Sequence, residues 1–317
     1  MSEPEVLRFD GWVDRCLYDP LIGFYATGRG RAGRRGDFLT SPEVGPLFGA
    51  SLARALDEWW DALGQPARFP VVDAGAGPGT LLKALALASP RCAEVWQLRA
   101  VDVAPGMQPD LGDVEGGVVI ANELLDNLPF RVLDHAHDNA WSEVFVAFDE
   151  GGVREVLRPA SDVPDRFLGL PAGRLPWLEA AGRWVGEVLE RQPACLLVFD
   201  YGRPSTGELM ARGGWLRTYR RHERGSDPYR QPGQWDLTTD VAFDQLPAPS
   251  ELAAQAEVLR RYGIDQLVDE GRAHWQRHAA HPDLTAMRMR SRVREAEALL
   301  DPDGLGGWMV ATWASDK

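Results

Sequence analysis

The sequence predicts an α/β protein built on a mostly parallel sheet, and three observations carry that prediction. Apolar runs of strand length recur: "FPVVDAG" (69–75), "QLRAVDV" (97–103), "GVVIANE" (117–123), "ACLLVFDYG" (194–202) and "GWMVATWAS" (307–315). The first four are near-continuous rather than alternating, as strands covered on both faces are. Helical stretches separate several of them, notably "GTLLKALALA" after the first and "LPWLEAAGRWVGEVLERQ" before the fourth. Strand–helix alternation of this kind favours a parallel sheet with helices on both faces.

The remaining elements are fitted around that sheet. Residues 1–68 form an N-terminal extension expected to pack on the core, with one helix in "PLFGASLARALDEWWDALG". Residues 69–317 form the core. Within it, "WSEVFVAFDEGGVREVLRP" (about 141–159) reads as a hairpin insertion around Glu150-Gly151-Gly152. Residues from about 203 to 248 are rich in Gly, Pro and Arg with few apolar runs, which suits a lid-like insertion. No repeat or low-complexity tract stands out.

Composition excludes several classes. The 317 residues suffice for one large α/β core, and no apolar run approaches the roughly 20 residues of a membrane span. The net charge of −13 disfavours a nucleic-acid surface that works through phosphates. The Arg-rich stretches "GRGRAGRRG" and "RTYRRHERGSDPYR" read as solvated loops in a chain whose only lysines are Lys83 and Lys317. Cys16, Cys92 and Cys195 are widely spaced and fit buried thiols in a reducing compartment. His274, His278 and His281 share a helix face without an acidic ligand beside them, so no metal is expected. The start is acidic, with neither a signal-peptide nor a transit-peptide pattern, and the expected location is cytoplasmic. Oligomeric state is open.

"VVDAGAGPGT" places Asp73, Gly75, Gly77 and Gly79 between the first strand and its helix. Glycines there allow a tight turn and let a ligand approach bare backbone N–H groups at a helix start; a purely structural turn is the plainer reading. The spacing is not the G-x-G-x-x-G of a dinucleotide site, because Thr80 stands at the last position. A strand-end carboxylate at Asp73 repels a pyrophosphate but suits an ammonium or hydroxyl. S-adenosylmethionine, an amino acid joined to a nucleoside with no phosphate, has that polarity. Asp102, ending the second strand, is then placed for the ribose hydroxyls.

Several further stretches occur in order: "LYDPLIGFY" (17–25), "GDFLTSPEVGPLFG" (36–49), "NELLDNLPF" (122–130), "DYG" (200–202), "LRTYRRH" (216–222), "PGQWDLTTDVAF" (232–243) and "QAEVLRRYGI" (255–264). Together they resemble the MidA-like family of S-adenosylmethionine-dependent methyltransferases, relatives of the mitochondrial complex I assembly arginine methyltransferase. The resemblance implies a class I, Rossmann-like core: a seven-stranded sheet with its last strand antiparallel, matched here by "GLGGWMVATWAS". It implies that Gly75, Gly77 and Gly79 line the methionine part of the cofactor and that Asp102 holds its ribose. It also implies that "GDFLTSPE" (with Gly36, Asp37, Phe38, Thr40, Ser41, Pro42 and Glu43) and "NELLDNLP" wall the reaction site. One departure stands out: only 19 residues separate Asp102 from Asn122, where a class I core fits a helix and a third strand. That strand is expected to be missing, leaving the second strand at the sheet edge.

Methyl transfer to a guanidinium needs carboxylates that orient it and take a proton. Glu123 and Asp126 supply such a pair if the chain turns into a helix after the strand, and Asn122 joins them as a catalytic and cofactor-contacting candidate. Helix capping by Asn122 or Asp126 is the competing reading. Asp200 and Tyr201 end a strand on the same sheet edge, while His222, Asp236 and Thr238 are candidates from the insertion. The expected activity is methyl transfer to an arginine side chain of a protein. The alternatives are a small-molecule O- or N-methyltransferase and a non-catalytic assembly factor that keeps the fold.

Overall fold

The computed structural model describes residues 5–28, 40–102, 110–149, 152–220, 223–225 and 227–314. Among these, six strands form the central sheet, in the spatial order Glu251–Ala254, Met309–Ala314, Cys195–Asp200, Val118–Asn122, Phe69–Ala74 and Trp96–Val101. The last four named are mutually parallel. Met309–Ala314 runs antiparallel to Cys195–Asp200, and Glu251–Ala254 antiparallel to Met309–Ala314. Trp96–Val101 is the edge on one side, so among the described residues no third parallel strand lies beyond it.

Alternation along each strand divides the core in two, because successive side chains leave opposite faces of a sheet. Val72, Ala74, Val119, Ala121, Leu196 and Val198 join one cluster with Trp12, Val185 and Leu209. Phe69, Val71, Val118, Ile120, Leu197 and Phe199 join the other, with Phe48, Leu85, Leu259 and Leu299. The first face is covered by helices Phe9–Tyr18 and Glu179–Glu190, and the second by helices including Pro46–Ala62, Thr80–Ala88 and Leu284–Leu299. Burial on both faces explains why these strands read as continuous apolar runs.

A second sheet is antiparallel, with Glu5–Arg8, Trp141–Asp149, Arg131–His135 and Gly173–Trp177 in order and Gly152–Pro159 paired to Trp141–Asp149. Its N-terminal strand has only four residues and pairs far along the chain, so local sequence carries no signal for it. Residues 203–248 contribute a small sheet of Leu216–Arg220, Glu223–Gly225 and Asp236–Thr239. A further pair joins Gly202–Arg203 to Val241–Ala242.

The site follows from the order of the central strands. Phe69–Ala74 has Trp96–Val101 on one side and Val118–Asn122 on the other, so the chain leaves it in opposite directions. Open α/β sheets form a crevice at such a switch point, outside the carboxyl ends of the strands. Here those ends deliver Gly75, Asp102, Glu123 and Tyr201.

Candidate active site

The glycine loop leaves its strand through two hydrogen bonds, as Gly75 N–H and Ala76 N–H donate to Val101 O at 2.8 and 3.1 Å. Gly77 and Gly79 have φ of +50° and +70°, in the left-handed region that side chains disfavour. A Cβ at either would meet nothing within 4 Å, so the bare backbone faces open space. Gly77 N–H donates to Asp102 Oδ2 at 2.6 Å, which ties the second strand end to the loop. Helix Thr80–Ala88 starts directly after Gly79.

A cavity of about 450 Å³ opens over this loop. Its wall includes Asp73, Gly75, Gly77, Asp102, Asn122 and Glu123. Tyr18, Tyr25, Thr40, Pro42 and Glu43 close it from the N-terminal side. Asp73 is 3% exposed, and its Oδ2 has no hydrogen-bond partner among the described residues. Burial, and then the charge of Asp102, push its carboxyl up to about 7. Asn122 Oδ1 is likewise buried without a partner, while its Nδ2 donates to Glu123 Oε1 at 2.9 Å. Buried polar atoms left this way carry a desolvation cost that a bound ligand relieves.

Glu123 departs from the expected helix. Its N–H continues the ladder to Phe199 O at 2.9 Å, and the residue then adopts φ +55°. A side chain held in that region costs on the order of 1–3 kcal/mol and persists where its surroundings impose it. Only a single 3-10 turn, Leu125–Asn127, follows. Burial first, and then the nearby Asp126 charge, hold the Glu123 carboxyl well above the usual range.

Asp126 faces away from the glycine loop. Its Oδ2 accepts the Thr238 hydroxyl at 2.7 Å and the Tyr201 hydroxyl, while Oδ1 is buried without a partner among the described residues. It lines a second cavity of about 280 Å³ with Glu123, Asn127, Tyr201, Arg217, Tyr219, Asp236 and Trp308. Glu123 and Asn127 line both cavities.

The structure brings Asp73, Gly75, Gly77, Asp102, Asn122, Glu123, Thr40, Pro42 and Glu43 to one cavity, and Asp126, Tyr201 and Asp236 to its neighbour. Thr238 enters through its bond to Asp126, and Gly79 caps the helix beside them. Two candidates need correction. Asp200 is fully buried and lines neither cavity, because its carboxylate accepts the backbone N–H groups of Leu125, Asp126 and Tyr201. The capping role considered for Asn122 and Asp126 therefore belongs to Asp200. Ser41 is also turned inward, its hydroxyl donating to Gln255 Oε1 at 2.9 Å. Gly36, Asp37, Phe38 and His222 lie outside the described residues.

Other lining residues escaped the sequence reading. Tyr18 and Tyr25 stack at 5.9 Å and donate their hydroxyls to Asn127, to its O and its Oδ1. Tyr25 also bonds Asp236 Oδ1, as does Asn127 Nδ2. Arg217, read as part of a solvated loop, instead pairs with Asp240 and lies over the Tyr201 ring at 4.5 Å. Tyr18, Tyr25, Asn127 and Arg217 stand in "LYDPLIGFY", "NELLDNLPF" or "LRTYRRH", so the signal was the motif and not the single residue.

The profile of a family described as "putative S-adenosyl-L-methionine-dependent methyltransferase" matches residues 96–263, more than half of the chain. The chain belongs to this family. Similar proteins include the mitochondrial protein arginine methyltransferase NDUFAF7 homolog of Drosophila melanogaster, 29% identical over 73% of this chain and 64% of its own length. The mitochondrial NDUFAF7 of Bos taurus is 27% identical over 80% of this chain and 69% of its own. The chain thus spans about two thirds of the length of these curated relatives. A COG1565 superfamily member from Burkholderia thailandensis, crystallised with S-adenosyl-homocysteine, has a TM-score of 0.81 at 24% identity. The match covers 98% of this chain and 88% of that one, a likeness of fold.

Membership makes this methyltransferase S-adenosyl-L-methionine-dependent, and the larger cavity fits that cofactor. It offers unpartnered buried oxygens on Asp73 and Asn122, exposed backbone at Gly77, and a volume within the roughly 300–1,000 Å³ of small-molecule sites. The cytoplasmic expectation does not stand, because these relatives are named as mitochondrial proteins. An acidic first stretch was no measure of compartment.

Proposed function

We propose that this methyltransferase transfers a methyl group to an arginine side chain of a protein, with Glu123 as the residue that orients the acceptor and takes its proton. The observation carrying this reading is the place of Glu123: a half-buried carboxylate in constrained backbone that lines both cavities. The names of the relatives support arginine as acceptor.

Asp73 and Asn122 would hold the amino-acid part of the cofactor, the glycine loop its backbone-facing side, and Asp102 its ribose. When bound, S-adenosyl-L-methionine supplies an electrophilic methyl on a sulfonium sulfur. A nitrogen–carbon bond then replaces the sulfur–carbon bond, and the acceptor nitrogen must shed one proton. Glu123 meets that need, since burial gives it a raised proton affinity, and an arriving cation favours its charged form. The central sheet is read as a class I core without its third strand, which leaves the cavity open beside Trp96–Val101. Residues 1–68 serve as an extension that closes the site, and the segments near 141–159 and 203–248 as insertions into the core.

Glu123→Gln tests the carboxylate role. Affinity for S-adenosyl-homocysteine by calorimetry is expected to stay within about threefold, while methyl transfer falls by about a hundredfold or more, the scale of general-base loss. A variant that binds and transfers as well as the parent would remove Glu123 from the chemistry.

A further inference from the structure

We propose that the second cavity is the acceptor subsite and takes a planar guanidinium, gripped by Asp126, with Tyr201 and Thr238 as positioning residues. The proposal rests on the methyltransferase reading above and adds where the acceptor sits and what recognises it.

Three carboxylates line this cavity, Glu123, Asp126 and Asp236, against one guanidinium, Arg217, which is already paired with Asp240. Their oxygens are not equivalent. Asp236 Oδ1 accepts from Tyr25 and Asn127, and Glu123 Oε1 accepts from Asn122. Asp126 Oδ2 is filled by two hydroxyls. Asp126 Oδ1 remains, on a side chain 3% exposed, with no hydrogen-bond partner among the described residues. A carboxyl oxygen buried without a partner calls for a donor, and a cationic one also favours its charged form. A guanidinium presents adjacent N–H groups in a plane, so one edge can bond Asp126 while another nitrogen lies toward Glu123.

The walls suit a flat cation. Tyr201 meets Trp308 edge to face at 5.3 Å between ring centres, and the Arg217 guanidinium lies over its ring at 4.5 Å. Half-buried Tyr219 and Trp308 supply further aromatic surface, and guanidinium stacks on such faces. A volume of about 280 Å³ accommodates a side-chain head and excludes a folded peptide. Glu123 and Asn127 are common to both cavities, so a head group here shares those two side chains with the larger cavity.

The groups facing Asp126 are Glu123 on its own turn, Asp200 and Tyr201 at the neighbouring strand end, Arg217 and Asp236 from the insertion, and Tyr18 and Tyr25 from the N-terminal loop. Burial raises the Asp126 carboxyl above its ordinary range, and the Tyr201 and Thr238 hydroxyls oppose that by favouring its charged form. Removing one therefore raises its proton affinity, so loss of cation binding on acidification begins at higher pH.

The test uses the full chain loaded with S-adenosyl-homocysteine and titrated, by NMR, with N-acetyl-arginine amide, its neutral citrulline isostere and N-acetyl-lysine amide. The arginine probe is expected to bind about tenfold or more tighter than either, the scale of one charge-assisted hydrogen bond. Asp126→Asn abolishes that preference while cofactor-product affinity stays within about threefold, and Tyr201→Phe moves the acid limb of arginine binding upward without lowering its alkaline plateau. Equal binding of arginine and citrulline overturns the proposal, as does an unchanged preference in Asp126→Asn or an unmoved limb in Tyr201→Phe. If Asp126→Asn fails to fold, the comparison of probes on the parent protein decides. Methylarginine formed by a protein without this preference would sink the subsite and leave the arginine reading intact. Label found only on a neutral acceptor would sink both.

Discussion

Asp73 shows how a single residue trades stability for binding. Its carboxyl is pushed up to about 7 by burial and by Asp102, so the folded chain holds a proton that the unfolded chain releases in the ordinary carboxylate range. Between those two points the folded state binds more protons, and stability falls as pH rises, levelling off above about 7. Asp73→Asn lacks that dependence. Without ligand, its melting temperature relative to the parent is expected to improve from acidic to mildly alkaline pH, by about a few degrees. Calorimetry on the same variant should show S-adenosyl-homocysteine binding weakened by about tenfold or more. A parallel pH profile for the two proteins would mean Asp73 is already ionised and satisfied. Asp73 and the glycines were legible in the sequence because strand, turn and helix start are local. Tyr18 and Tyr25 were not, because they reach the cavity only once the N-terminal loop folds against Asn127, about a hundred residues away.

The turn after Val118–Asn122 lines both cavities, and it is held by Asp200 from the neighbouring strand. An acid at a strand end looks the same in sequence whether it faces a ligand or backbone, which is why Asp200 was misassigned. Its three backbone partners make it the fastener of the turn. Asp200→Ala should leave buried N–H groups unpaired and cost on the order of 1–3 kcal/mol per group, read as a lower denaturation midpoint. Asp200→Asn, which keeps acceptor oxygen, should lose less. Equal stability of both variants and the parent would show that the turn holds itself. The turn also explains why "NELLDNLP" does not become the expected helix: Glu123 adopts a left-handed conformation and Asp200 occupies the next N–H groups, leaving one 3-10 turn.

At the scale of the molecule, the parallel strands were readable as continuous apolar runs, and among the described residues Trp96–Val101 is the edge next to the short link from Asp102 to Asn122. The five-stranded second sheet was not, beyond its hairpin, since its outer pairings join Glu5–Arg8 and Gly173–Trp177 to distant partners. Yet residues 216–239, beyond that sheet in sequence, complete the acidic cavity with Arg217, Tyr219 and Asp236. The two cavities are therefore lined jointly by the ends of the central strands, the N-terminal segment and residues after 215. The most direct measurement of what this assembly does is to incubate the protein with tritium-labelled S-adenosyl-L-methionine and source-cell extract, then hydrolyse the labelled protein fraction to amino acids. Label recovered as methylarginine is the predicted result. Label confined to small molecules or to other amino acids would contradict methyl transfer to protein arginine.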